Sequence, residues 1–136
     1  MDLTQKARDI FSNDKYATGL TGIVIEHVDN DHVECSLSLR DVHRNAKGAI
    51  MGGVLFTLAD FVFAIAANSQ ILSEGNEPQW VSTSSTIHFL SQCKGDRLIA
   101  ISNRIRQGKR NAVFHISIND SLDNQVAIVI ASGTRV

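Results

Sequence analysis

The sequence predicts an α+β domain in which an antiparallel β-sheet surrounds one long central helix. Residues 53–68 form a run of helical length that is apolar on nearly every side, which is typical of a helix enclosed by other structure. Segments with the alternating pattern of half-buried strands lie on both sides of this run. The length of 136 residues is that of one ordinary domain with a sizeable core, so we expect residues 1–136 to form a single domain.

The N-terminal part of the chain is predicted to contain one short helix and two strands. Residues 3–11 have the spacing of an amphipathic helix. A β-rich segment covers residues 19–28, and the Asp-Asn-Asp sequence at 29–31 is typical of a hairpin turn. Residues 33–40 alternate between apolar and polar side chains, as in a strand with one buried face.

Two loops and four further strands are predicted around and after the central helix. A polar loop at 41–52 precedes the helix, and a second loop at 73–78 carries the only proline. The predicted strands are 79–90, 97–106, 112–118 and 125–132, with turns at 108–110 and 119–124. One helix covers only one face of such a sheet, so the open face and edge predict a dimer.

Composition argues against several classes of protein. The 13 basic and 14 acidic residues are well mixed and give a net charge of −1, unlike the basic stripe of a nucleic-acid-binding protein. Residues 1–12 do not resemble a signal peptide, and the apolar stretch 54–67 is interrupted and too short to span a bilayer. Cys35 and Cys93 have no metal-ligand spacing and are predicted to be reduced thiols, with a single intrachain disulfide as the alternative. We therefore expect a cytoplasmic protein that binds neither nucleic acid nor membrane.

Asp60 is the residue that most needs a chemical explanation. Within the apolar run from Gly53 to Ala67 the only other polar side chain is Thr57. A buried carboxylate without a partner costs several kcal/mol, and no basic residue lies three or four positions away on the helix. Two interpretations are open, namely an aspartate satisfied by backbone amides or an exposed edge, and a catalytic carboxylate.

Gly52 and Gly53 precede the central helix and offer a second element of chemistry. The first amides of a helix lack intrahelical acceptors, so they can bind a substrate oxygen as an oxyanion hole does. A glycine pair alone is weak evidence, because it more often reflects loop geometry. Asp60 lies roughly 10 Å along the helix from Gly53, whereas reacting atoms must approach to about 3–3.5 Å. If both elements serve one reaction, they must come from different protomers.

The spacing of these residues resembles a known family. The pattern is Asn45-x-x-Gly48-x-x-Met51-Gly52-Gly53, then Thr57-Leu58-Ala59 and Asp60. It resembles the hotdog-fold acyl-CoA thioesterases of the phenylacetic-acid-degradation type, and the likeness extends over almost the whole chain. The resemblance implies hydrolysis of an acyl- or aroyl-CoA to the free acid and CoA. It also implies a homodimer, a dimer of dimers as the tetramer, and no metal or redox cofactor.

The resemblance also implies roles for individual residues. Asp60 would act as general base or nucleophile, while the amide of Gly52 or Gly53 and the side chain of Asn45 polarise the thioester carbonyl. Ser82 would orient the attacking water, with Thr83 or Ser84 as alternatives and an ordinary strand hydroxyl as the plain explanation.

Substrate binding is expected to involve Met51 and a basic cluster. The family usually has histidine at the position of Met51, and methionine cannot donate a strong hydrogen bond to the leaving thiolate. His43 is a candidate replacement, although loop histidines are usually only solvated. The basic cluster either meets the CoA phosphates or is a solvated strand end. It consists of Arg104, Arg106, Lys109 and Arg110.

Two other functions are consistent with the fold. A hotdog hydratase or dehydratase needs a catalytic histidine with an acidic residue, and Met51 argues against it. A non-catalytic module that binds acyl-CoA is compatible with Met51, whereas Asp60 favours an enzyme. No histidine and acidic residues have the sequence spacing of metal ligands, so no metal site is predicted, and His88 and His115 are expected to be structural or exposed.

Overall fold

A computed structural model describes residues 2–136, and within this range one sheet and one long helix dominate the molecule. The helices are α1 (Leu3–Phe11), a π-helix (Tyr16–Thr21), a 3₁₀-helix (Asp41–His43) and α2 (Gly52–Ser73). The strands are β1 (Val24–Val28), β2 (Val33–Ser38), β3 (Trp80–Phe89), β4 (Arg97–Gln107), β5 (Asn111–Asp120) and β6 (Gln125–Arg135).

The six strands form one antiparallel sheet in the order β1-β2-β4-β5-β6-β3. Helix α2 packs against β2, β3, β4, β5 and β6, and α1 packs against β1 and α2. The predicted architecture, an antiparallel sheet around one central helix, is therefore confirmed.

Alternation along the strands separates the two faces of the sheet. On β5 every second residue from Ala112 to Ile118 is buried toward the core, and on β4 Leu98, Ala100 and Ser102 are buried in the same way. The intervening side chains face away from α2 and are only half-buried although many are apolar. They include Ile99, Ile101, Val113, Ile128 and Ile130. The second face is thus an apolar surface that the central helix does not cover.

Helix α2 is longer than the predicted 53–68, because polar residues near its end are satisfied within the fold. The buried side chain of Asn68 donates to the carbonyls of Ala64 and Trp80, at 2.8 and 3.2 Å, and accepts from the amides of Gln79 and Trp80. These bonds tie the helix to the start of β3. A polar side chain that looks like a helix end in the sequence therefore continues the helix to Ser73.

The length of α2 also shows that the apolar segment is not too short to span a bilayer, contrary to the prediction from residues 54–67. The helix has 22 residues, and an 18-residue stretch of it has a mean hydropathy of 1.6, so it is long and apolar enough to cross a bilayer. However, 67% of that 18-residue stretch is buried inside the fold. Burial against the sheet identifies α2 as a core helix.

The predicted β-rich segment 19–28 is wrong in its first half. Residues Tyr16–Thr21 form a π-helix, and β1 starts only at Val24. The carbonyl of Ala17 accepts hydrogen bonds from the amides of both Gly22 and Ile23, at 3.1 and 3.0 Å. Gly22 ends the helix with a φ of 92°, a left-handed conformation that glycine adopts without strain. The apolar residues of this segment therefore pack as a helical turn.

Candidate active site

The start of α2 presents two backbone amides without an acceptor. Met51 is the N-cap residue, and its carbonyl accepts from the amides of Val54 and Leu55 at 3.0 and 3.4 Å. Among residues 2–136, no group accepts a hydrogen bond from the amides of Gly52 or Gly53. These two donors lie at the positive end of the helix dipole, as an oxyanion site requires.

The two glycines differ in their surroundings. A Cβ atom at Gly52 would lie 3.0 Å from Cζ of Phe89, so the ring packs directly on the helix start. A Cβ atom at Gly53 would meet nothing within 4 Å. A side chain at position 52 would therefore press on the Phe89 ring and displace it slightly, while Gly53 leaves its amide approachable from open space.

A cavity of about 560 Å³, which we call the amide cavity, opens beside Gly52. Its lining residues come from the loop before α2, the start of α2, and the segment after β3. They are Arg44, Lys47, Gly48, Ala49, Ile50, Gly52, Leu55, Phe89, Leu90, Ser91, Gln92, Cys93 and Val126. Arg44 and Lys47 make this cavity cationic, and no carboxylate lines it. Sequence patterns did not single out either of these two residues.

Asn45 shapes the loop that borders the amide cavity. Its Oδ1 accepts hydrogen bonds from the amides of Lys47 and Ala49, at 2.9 and 3.1 Å. Gly48, with a φ of 82°, completes this tight turn. The Asn45 side chain is exposed but does not line the cavity. Its predicted part in polarising the carbonyl stays a prediction.

Asp60 lies outside the amide cavity. It lines a cavity of about 460 Å³, the carboxylate cavity, formed by α2 and the segment leading into the π-helix. The lining residues are Asp14, Lys15, Tyr16, Ala17, Phe56, Thr57, Asp60, Phe61 and Ala64. Asp60 is half-buried, so it faces this opening instead of the closed core that the apolar sequence suggested.

The Asp60 carboxylate has no fixed partner within residues 2–136. Thr57 and Asn68 on the same helix donate to the carbonyls of Gly53 and Ala64, each at 2.8 Å. No described residue donates a hydrogen bond to Asp60. Satisfaction by backbone amides is therefore wrong, whereas a position at an exposed edge and a catalytic role both agree with the structure. The carboxylate is available to a water or substrate in the cavity.

Asp14 is a second carboxylate in this cavity, and its only signal in the sequence is its place in a helix break. Burial raises the pKa of Asp14, and the negative charge of Asp60 raises it further. Tyr16 and Phe56 line the same cavity with largely exposed rings. The cavity thus combines two acidic groups with an aromatic wall.

The predicted catalytic residues are not brought together within one chain. Gly52 and Asp60 are eight residues apart on one continuous helix, about 12 Å along its axis, and line different cavities. Ser82 is exposed on the edge strand β3, paired with Gly133, immediately before a β-bulge between Ser82 and Ser84. It lines neither cavity.

The predicted basic cluster lies at the far end of α2 from Gly52. The β4–β5 hairpin is joined to the helix by a 2.8 Å hydrogen bond from Nε2 of Gln107 to the carbonyl of Ala67. Ala67 is about 22 Å along the axis from Gly52. Arg104 donates to Oε1 of Gln107 at 3.0 Å and lies 5.6 Å from the ring centroid of Phe114. Arg106, Lys109 and Arg110 are exposed there.

His43 is a structural residue. It is buried, its Nδ1 accepts from the amide of Arg40 at 3.0 Å, and its Nε2 donates to the carbonyl of Thr21 at 2.8 Å. Both ring nitrogens are thus occupied, so His43 cannot replace the histidine missing at Met51. His88 is exposed on β3 and His115 is half-buried on β5.

Both cysteines are free thiols, as predicted. Burial raises the pKa of Cys35 and of Cys93, and nearby Asp120 adds to the effect at Cys93. Although Cys93 lines the amide cavity, its thiol is held in the protonated form, which is a poor nucleophile.

Comparisons of the sequence and of the structure with known proteins indicate the same family. The sequence profile of the thioesterase superfamily matches residues 47–127. The acyl-coenzyme A thioesterase PaaI of Escherichia coli is 32% identical over 133 residues, covering 97% of this chain and 90% of that protein. The solved structure of PaaI from the E. coli phenylacetic acid degradation operon has a TM-score of 0.83 at 28% identity, covering 99% of this chain and 96% of that one. A Haemophilus influenzae thioesterase shares the fold, with a TM-score of 0.79 at 18% identity over 88% of this chain and 82% of that one.

The matched region contains the helix start, Asp60 and Ser82, and the E. coli relative matches nearly end to end. The resemblance to the phenylacetic-acid-degradation thioesterases and the hotdog fold are both confirmed. The chain belongs to the thioesterase superfamily and is a thioester hydrolase built on the hotdog fold.

Proposed function

We propose that this protein hydrolyses an acyl- or aroyl-CoA thioester to the free acid and CoA. The observation that carries the proposal is the pair of unpartnered amides at Gly52 and Gly53, beside a cationic cavity, in a chain of the thioesterase superfamily. The E. coli relative is named an acyl-coenzyme A thioesterase, which supports acyl-CoA as the substrate class.

The reaction needs one donor site and one base. The amide of Gly52 or Gly53, with the Asn45 carboxamide, polarises the thioester carbonyl and stabilises the oxyanion that forms. Asp60 takes a proton from water as the water attacks, or attacks the carbonyl itself to form a mixed anhydride that water then hydrolyses to the free acid and Asp60. Ser82 orients the water. Collapse of the tetrahedral intermediate expels the CoA thiolate. These steps need no metal or redox cofactor.

We propose that the site is shared between two protomers of a homodimer. The amide and carboxylate cavities are too far apart on one helix to serve one carbonyl, and the edge strand β3 is exposed along most of its length. An open edge of this kind favours pairing with a second copy. Pairing of that kind would bring Asp60 of one chain and the Gly52-Gly53 amides of the other to one substrate.

Three further features support a proposed tetramer and a cytoplasmic location. The half-buried apolar face that contains Ile99, Ile101 and Ile130 supports a dimer of dimers. Two free thiols suit a reducing cytoplasm, where we place the protein as a single domain over residues 1–136. Its balanced surface charge favours neither nucleic acid nor membrane as a partner.

Two basic regions compete for the CoA phosphates. Arg44 and Lys47 line the amide cavity itself, whereas Arg104, Arg106, Lys109 and Arg110 can reach it only from another protomer. The leaving thiolate departs past Met51, whose exposed side chain offers no proton. We therefore expect the expelled thiolate to leave unaided by a protein acid, which a thioester permits because it has a good leaving group.

The test is thiol release from a panel of acyl- and aroyl-CoAs, repeated with Asp60→Asn. Loss of a general base typically costs about 10²–10⁴-fold, and we expect kcat/KM to fall at least about tenfold with the fold intact. Glu77→Gln, an exposed loop carboxylate changed in the same way, is the matched control and should hydrolyse normally.

Three results would contradict this function. Unchanged hydrolysis by Asp60→Asn removes Asp60 from the mechanism. Binding of acyl-CoA without thiol release identifies a non-catalytic module, and addition or loss of water across an acyl double bond identifies a hydratase or dehydratase.

A further inference from the structure

The β1–β2 hairpin brings two histidines and an aspartate together outside both cavities. His27 belongs to β1, Asp29 lies in the turn, and His32 directly precedes β2. One possible ligand atom from each residue lies within 4.8 Å of the other two. The sequence spacing did not indicate a metal site, because the turn alone closes the distance between residues 27 and 32.

We propose that His27, Asp29 and His32 form a binding site for a late divalent transition-metal ion of the zinc type. Two imidazoles and one carboxylate are the ligand set that such ions accept, with water in the fourth position. Calcium and magnesium prefer oxygen ligands in larger number, so they fit this set poorly. The proposal is independent of the thioesterase mechanism.

The spacing of the ligand atoms suits this assignment. In a tetrahedral zinc site with bonds of about 2.0–2.1 Å, neighbouring ligand atoms are about 3.3 Å apart. Oδ2 of Asp29 lies 3.4 Å from Nδ1 of His32, which already matches, and is joined to Nε2 of His27 by a 2.8 Å hydrogen bond that the metal ion would replace. The second distance has to widen by about 0.5 Å. The His27 side chain, which is 50% exposed, has room for that movement.

The aspartate is held in position for binding. Its Oδ1 accepts hydrogen bonds from the amides of Asp31 and His32, at 2.7 and 2.8 Å. The amide of Asp29 in turn donates to the carbonyl of His32 at 3.1 Å, which closes the turn. Oδ2 is thereby directed toward both imidazole rings, whose centroids are 5.1 Å apart. The outer side of the cluster is open to water, since each side chain is 42–50% exposed.

The test is calorimetric titration of the full, untagged chain with zinc chloride after removal of metals by a chelator. We expect one zinc ion per chain, and at least tenfold weaker binding for His27→Ala and for His32→Ala. The control variant is His88→Ala, which removes an exposed histidine on β3 and should bind zinc as the wild type does. Calcium and magnesium should give no comparable heat.

Asp29→Asn provides a second test that spares the turn, because the amide oxygen can still accept from the amides of Asp31 and His32. We expect at least tenfold weaker zinc binding with an unchanged far-ultraviolet circular dichroism spectrum. No zinc uptake by the wild type would overturn the proposal. So would uptake that is undiminished in both histidine variants, or uptake that disappears only in Cys93→Ser.

Discussion

The amide cavity and the carboxylate cavity lie along the same helix but differ in their chemistry. The first contains unpartnered backbone donors and the cations Arg44 and Lys47. The second contains Asp14 and Asp60 beside aromatic rings and one cation, Lys15, with no comparable array of backbone donors. Thioester hydrolysis needs both a donor site and a base at one carbonyl. This difference supports our proposal that each cavity is half of an active site, which assembly of two chains would complete.

The largest effect on the amide side is expected from Gly53→Pro. Proline removes the amide hydrogen yet fits the first turn of a helix, and a Cβ atom at this position meets nothing within 4 Å. Loss of one oxyanion donor should lower kcat about 10²–10³-fold. Gly53→Ala keeps the amide and is the matched control. If Gly53→Pro and Gly52→Pro both fold and hydrolyse normally, the amide cavity is not the oxyanion site.

The cations of the amide cavity should affect binding more than chemistry. We expect Arg44→Ala combined with Lys47→Ala to raise KM for acyl-CoA about tenfold or more, since each phosphate contact contributes a charge-assisted hydrogen bond. The kcat should change little. Lys109→Ala combined with Arg110→Ala is the comparison. A larger KM increase in that double variant would show that the CoA phosphates bind instead at the β4–β5 hairpin of another protomer.

The smallest effect is expected on the carboxylate side, from Asp14→Asn. Because the pKa of Asp14 is raised by burial and by Asp60, its ionisation opposes folding. This opposition is fully present above the raised pKa and disappears as the pH falls below the ordinary value of 3.8. Asp14→Asn should therefore be the more stable protein at pH 7, by less than about 1 kcal/mol since the group is largely solvated.

Urea unfolding of both proteins at pH 7 and pH 3 measures this difference. The free energy of unfolding of Asp14→Asn should exceed that of the wild type at pH 7 and equal it at pH 3. An Asp14→Asn variant that is less stable than the wild type at pH 7 would show that the Asp14 charge is stabilised in the cavity, and that the two carboxylates do not oppose each other there.

Most of the fold was predictable, because burial within one chain leaves a direct pattern in the sequence. The apolar run of α2 and the alternation of β5 follow from contact with a single core. The segment 19–23 was misread because its apolar residues suit a strand and a helical turn equally, and only the hydrogen bonds to Ala17 decide between them. Asn68 was misread as a helix end because its partners lie on β3.

The site was predictable only in part. Asp60 and Gly52-Gly53 are conspicuous against their local sequence. Asp14, Arg44 and Lys47 are ordinary loop residues until the chain folds and places them in the two cavities. Proximity created by folding, and still more by pairing of chains, leaves no local pattern.

The central claim, that one site takes its halves from two chains, is tested most directly by mixing inactive protomers. Asp60→Ala and Gly53→Pro chains are refolded together at equal amounts, and thiol release is compared with each parent alone. If sites are shared across a two-fold dimer, half of the dimers are mixed and each has one intact site, so about one quarter of wild-type activity should return. Activity no higher than that of the parents, with mixed dimers shown to be present, would contradict the shared site.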